Sequence, residues 1–250
     1  MHRLYVLLVL LWVCCPGRLR AQVLVEGIQY ALHDSDATAT VISGDSIPFA
    51  LSEHIVIPST ILHEGRTFTI TRIGLNAFSC NDDIISIVIP QGVTTIEEGA
   101  FQNCHNLTSV VLPESLHLIG DYAFHRCTSL QTVQLPKALT HIGNFAFLHC
   151  NSLRHITIPA EVVAIGEAAF GGCAQLMQME MKGTVPPFMK KSTLTGCSSL
   201  THIYVPNGYA TVYNVRPWKA YTICEGDYRE KEKKEIIRRP HRRTVAASPR

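Results

Sequence analysis

The chain has 250 residues, of which 46% are hydrophobic and 17% charged. That is apolar enough for a folded core and too sparsely charged for a disordered chain. Between Gln22 and Cys224 it carries 10 Lys/Arg against 15 Asp/Glu, which excludes a nucleic-acid groove, because such grooves need clustered cations to displace counterions from phosphate.

The first predicted element is an export signal over residues 1–21. Arg3 supplies the positive start, and Leu4 to Cys15 is an apolar run too short to cross a bilayer core of about 30 Å. Pro16 and Gly17 then break the helix, and cleavage after Ala21 would leave Gln22 first. A lipoprotein anchor on Cys14 or Cys15 is the alternative, although Val13 is bulky where such sites want a small residue. No later segment is long and apolar enough for a membrane helix. The mature chain is therefore expected to be secreted or at the cell surface, with no transmembrane segment.

The body of the chain repeats every 23 residues. Stepping from Phe78 gives Phe101, Phe124, Phe147 and Phe170, each preceded by alanine. Ile73, Ile96, Ile119, Ile142 and Ile165 keep the step, as do Pro90, Pro113, Pro136 and Pro159. Cys104, Cys127, Cys150 and Cys173 share one phase, and a sixth unit with one inserted residue contains Leu194, Cys197, Ile203 and Pro206. An earlier strand, Ile55 to Pro58, fits the pattern with nine extra residues before the next unit. Within a unit, Val110 and Leu112 alternate with Ser109 and Val111, the period of a strand with one buried face. Pro113 lacks an N–H and ends the strand, and glycine at 74, 120, 143 and 166 is expected where a corner wants a permissive backbone. Only stacking can bury the apolar face of such a unit. The prediction is a repeat solenoid, mostly β and loop, with a parallel sheet on one face and a phenylalanine spine.

Units such as Leu130-x-x-Val133-x-Leu135-Pro136, continuing through Leu139, Ile142-Gly143, Ala146-Phe147 and Cys150, resemble the BspA-like leucine-rich repeats of bacterial surface proteins. The resemblance covers roughly residues 50–208. It implies a leucine-rich-repeat fold with its sheet on the concave face and no catalytic motif. It also implies an N-terminal β-hairpin cap over Gly27 to Ile42 and a C-terminal cap running from Val205 through Trp218 to Ile223. The expected organisation is cap and irregular first repeat over 22–70, repeats over 71–208, C-terminal cap over 209–225, and a charged tail over 226–250. That tail is read as frayed helix or disorder, or as a binding arm for an acidic surface.

Seven cysteines follow the export signal, and exported chains invite disulfides. Against that, stacked cysteines in one phase point side by side and not at one another, so a ladder of free thiols is expected for the four phased ones. Cys80 is one place out of phase, Cys224 lies in the cap, and the redox state of these two and of Cys197 stays open. No C-x-x-C suggests zinc, and no cofactor is expected. His54, His155 and His202 share one outward strand position and are read as solvated. Gly44-Asp45-Ser46 is similar to the nucleophile block of one esterase class, but a hairpin cap and loop supply no partner base, so an enzyme is not expected. Asn106-Leu107-Thr108 matches a glycan acceptor pattern that falls on a predicted strand.

The function expected is an extracellular binding module, meeting a protein (host matrix included) through the concave sheet. The alternative is a carbohydrate-binding surface protein that assists glycan uptake. Two outward rows are the candidates. One runs through Ser86, Ser109, Thr132, His155, Gln178 and His202. The other runs through Val88, Val111, Gln134, Thr157, Glu180 and Tyr204. Within them, Val88, Val111, Gln134, Thr157, Glu180, Tyr204, His155 and His202 are the predicted partner-binding residues, Tyr204 being the best anchor type.

Overall fold

The computed structural model describes residues 21–44 and 53–227. Of the predicted export signal over 1–21 only Ala21 is described, and most of the Gly44-Asp45-Ser46 motif and the tail beyond Asp227 lie outside these residues. The 23-residue unit is one coil of a solenoid of about seven turns.

The chain opens with three strands, β1 (Gln22–Val25), β2 (Ile28–His33) and β3 (Thr38–Ile42), paired antiparallel in sequence order. Glu26 and Gly27 take positive φ at the first turn, which only glycine adopts without strain. The expected hairpin therefore has a third strand, β1, whose short run before Glu26 carries no turn signal of its own. After β4 (His54–Val56), the nine extra residues make room for a second hairpin, β5 (Thr60–His63) with β6 (Arg66–Ile73), turning at Glu64-Gly65. β6 then pairs parallel with β3 and joins the cap to the solenoid.

Each following coil contributes a first strand and then a second, two-residue one. They are β7 (Ser86–Val88) and β8 (Thr95–Ile96), β9 (Ser109–Val111) and β10 (Leu118–Ile119), β11 (Thr132–Val133) and β12 (His141–Ile142). The next are β13 (His155–Ile158) and β14 (Ala164–Ile165), then β15 (Gln178–Met181) and β16 (Phe188–Met189). β17 (His202–Val205) and β18 (Thr222–Glu225) complete the first series, and β18 pairs parallel with β17. The second strands extend the cap's sheet, in the order β1-β2-β3-β6-β8-β10-β12-β14-β16, so the solenoid has parallel strands on two faces and not on one. Two residues leave no room for alternation, and the sequence pattern is blind to them. The first strands form two four-stranded sheets, β4-β7-β9-β11 and β13-β15-β17-β18.

The core is a set of ladders. Phe78, Phe101, Phe124, Phe147 and Phe170 stack coil on coil with ring centroids 5.1–5.3 Å apart and planes within 9°, a favourable separation for aromatic pairs. Cys104, Cys127, Cys150, Cys173 and Cys197 are buried free thiols. Each donates its S–H to the phenylalanine carbonyl one coil earlier, at 3.0–3.2 Å. Burial pushes all five up in pKa, Cys104 to about 12 and Cys197 to about 11. Cys80, out of phase, is exposed.

The corner glycines serve a purpose other than the one expected. None of Gly74, Gly120, Gly143 and Gly166 takes positive φ. A Cβ on Gly143 would instead lie 2.5 Å from the backbone of Gly120 and Asp121 in the coil before, so the requirement is close approach. Positive φ falls two residues later, on Asn76, Gly99, Tyr122, Phe145 and Ala168. Asn106 sits in an exposed turn and not on a strand, its amide donating to the carbonyl of Asp82 at 2.8 Å. At the far end Tyr213 and Trp218, both buried, meet edge to face, and the Tyr213 hydroxyl donates to the carbonyl of Gly183 at 2.9 Å.

Candidate functional site

The alternation within each first strand aims the predicted residues outward. Val110, Val133, Ile156, Met179 and Ile203 point in and are buried, which leaves their neighbours on the solvent side. Directly opposed pairs place Val56 beside Val88, Val88 beside Val111, Thr157 beside Glu180, and Glu180 beside Tyr204. His155 and His202 flank Gln178 in the other row, and both are exposed.

The early end of this strand face is an apolar strip. Val56, Val88 and Val111 are 69%, 36% and 56% exposed. Val56 was absent from the predicted row. The signal was present, since the Ile55-Val56-Ile57-Pro58 strand has the same phase as the repeats, but the extra residues broke the 23-residue count.

The late end is polar and already organised. Glu180 accepts from the Thr157 hydroxyl at 3.2 Å and from Lys182 Nζ at 2.7 Å, and Lys182 also reaches Asp227 at 3.4 Å. Burial works to lower the Lys182 pKa, but the Glu180 and Asp227 carboxylates outweigh it and the net shift is upward. The Glu180 side chain is only 13% exposed, so it holds Lys182 and Thr157 in place more than it offers itself to a partner. Tyr204 lies beside His202, ring centroids 6.5 Å apart, and His202 is fixed by Thr201 Oγ1 at 2.7 Å. Gln134 lies past the end of β11, where the face divides between its two sheets. The predicted residues thus form two groups, Val88 with Val111, and Thr157 with Glu180, Tyr204, His155 and His202. Gln134 stands between them.

Between Ser86 and Gln178 the two rows carry no carboxylate, lysine or arginine. Among the described residues, no group of three or more His, Cys, Asp or Glu converges to hold a metal ion. What the arrangement can do is apply a long surface to a partner, apolar at Val56, Val88 and Val111 and polar, around the Glu180–Lys182 pair and Tyr204, at the other end.

Stacked coils with strand ladders, an internal phenylalanine spine and a cap at either end define a leucine-rich-repeat solenoid. Six copies of the BspA type leucine-rich repeat match residues 71–201, and the chain belongs to that family. It is similar to a leucine-rich repeat protein from Bacteroides ovatus, with 27% identity and a TM-score of 0.62, over 74% of this chain and 49% of that one. This chain therefore spans about half the length of that protein. A leucine-rich repeat protein of T. pallidum shares the fold at 23% identity and a TM-score of 0.60, over 84% of this chain and 92% of the other. No curated protein matches the chain.

Proposed function

We propose that this protein is an extracellular, non-enzymatic binding module that engages a protein partner along its strand face. The observation that carries the reading is the contrast between the two sides of each first strand. Inward positions are uniformly apolar, while outward ones change from coil to coil and order themselves into an apolar strip at Val56, Val88 and Val111 and a polar end around Tyr204. Protein interfaces combine an apolar core with a few aromatic or hydrogen-bonding anchors, and membership of a repeat family of interaction and surface modules supports the same view. Export and surface placement rest on the apolar N-terminal run of the sequence. Among the described residues no helix is long and apolar enough to cross a membrane.

The test measures binding of the purified protein to immobilised host matrix proteins and to a glycan array. It uses the wild type, Val111→Asp and Tyr204→Ala. Saturable binding to a protein that both substitutions weaken, with melting unchanged, is the expected result. Binding that neither substitution touches would place the interface elsewhere.

A further inference from the structure

We infer that the cleft where the N-terminal cap joins the second sheet is a binding site for a neutral, polyhydroxylated ring, that is, a sugar residue. It lies on the opposite sheet from the strand face and is independent of that reading.

The cleft holds about 500 Å³, within the range of about 300–1,000 Å³ usual for ligand sites. Its floor is one row across four neighbouring strands: Gln22 faces Ala31, Ala31 faces Thr40, and Thr40 faces Arg72. Alanine in the middle of that row makes the depression, and Gln22 and Arg72 wall it on either side. Just before Thr40 the pairing of β3 with β6 shifts by one residue, and this shift sets Thr40 opposite Arg72.

Arg72 is held in place. Its Nε donates to Thr40 Oγ1 at 3.2 Å, and a terminal nitrogen lies 3.3 Å from His33 Nε2. Its charge is met by Glu97 at 3.7 Å. Glu97 stands where other coils carry Gly120, Gly143 and Gly166. Its carboxylate turns back to the preceding coil, accepts the Leu75 N–H at 3.1 Å and reaches the mouth of the cleft. Glu97 and Lys190 both replace that glycine, and of the two it is Glu97 that reaches the cleft.

The lining selects the ligand class. Arg72 and Glu97 are a third to two-fifths exposed and cancel in charge. An anion would meet the Glu97 carboxylate and a cation the Arg72 guanidinium, so a neutral ligand fits best. Guanidinium, carboxylate, the Gln22 amide and the Ser43 hydroxyl together present donors and acceptors at several angles. Exposed Leu75 and partly covered Ile42 give an apolar edge for the C–H face of a ring.

The experiment titrates the full chain with methyl glycosides of glucose, galactose and mannose, using calorimetry and ligand-observed NMR. Sodium acetate and methylammonium chloride are the charged controls. At least one glycoside should bind saturably with a millimolar Kd. Glu97→Gly, which restores the glycine of the other coils, and Arg72→Gln should each weaken it at least about tenfold while near-ultraviolet circular dichroism stays native. Absence of any glycoside binding overturns the proposal. So does acetate or methylammonium binding as tightly as the best glycoside, or undiminished binding by either folded variant.

Discussion

Cys127 donates its thiol hydrogen to the carbonyl of Phe101, 3.2 Å away in the preceding coil. That carbonyl also accepts the N–H of Cys104. The same contact recurs from Cys104 to Cys197, so the thiol row and the phenylalanine row hold each other in register along the solenoid.

The thiols give stability a distinctive alkaline limb. Their pKa values are raised in the folded state, so they carry no penalty below the ordinary thiol value near 9. Above it, the unfolded chain ionises and the folded chain does not. Stability should therefore fall from about pH 9, and continue to fall until about pH 11 for Cys197 and about pH 12 for Cys104. The slope is about 1.4 kcal/mol per pH unit for each titrating thiol. Urea unfolding between about pH 8 and 10 measures it, and Cys127→Ala with Cys150→Ala, which removes two of the five thiols, should make it shallower. A flat profile in the wild type would contradict the burial.

Thiol labelling tests the same ladder from the native side. Iodoacetamide should modify exposed Cys80 in the folded, unreduced protein. Cys104, Cys127, Cys150 and Cys173 should be modified only after denaturation, because alkylation needs an accessible thiolate. Mass spectrometry reads the sites, and a Cys127–Cys150 disulfide would refute the arrangement.

Phe124 is fully buried between Phe101 and Phe147. Phe124→Ala should cost about 3–5 kcal/mol, the usual range for a buried aromatic. Thr132→Ala, on the exposed side of β11, should change stability by less than about 0.5 kcal/mol. Comparable melting shifts would mean that the faces are misassigned.

The two kinds of glycine should respond differently. Gly143→Ala brings a methyl to 2.5 Å from backbone atoms of the preceding coil, and backbone cannot swing aside, so a loss above about 2 kcal/mol is expected. Gly65→Ala has open space around it and suffers only from its φ of +77°, a cost near 1 kcal/mol. Denaturation midpoints of the two variants compare them directly.

On the strand face, Tyr204→Ala should weaken a protein partner by about tenfold or more, the usual effect of a truncated aromatic anchor. Glu180→Ala should behave otherwise. It releases Lys182 and Thr157 and should lower the melting temperature as well as affinity. A partner whose binding tolerates Tyr204→Ala but is lost on deleting residues 228–250 would place the site in the basic tail.

The 23-residue step determined by itself the coil, the inward rows, the phenylalanine spine and the thiol ladder. Each arises from one residue packing on its own counterpart in the next coil, so period and contact are the same fact. The two outward rows were legible for the same reason, since alternation within a strand leaves only one solvent side. Features that depend on how unlike segments meet were decided by the tertiary structure alone. Two-residue strands show no alternation, so the second sheet stayed hidden. Gly143 reads as a flexible corner until the backbone of Gly120 is found against it. Glu180 reads as a partner-binding residue of the outward row until Lys182 and Thr157 are found against it. The cleft joins Gln22, Ala31, Thr40 and Arg72, residues spread over four strands and set opposite one another by two antiparallel pairings and a parallel one shifted by one residue. Such a row has no constant spacing, because its geometry is set by which strands pair and in what register.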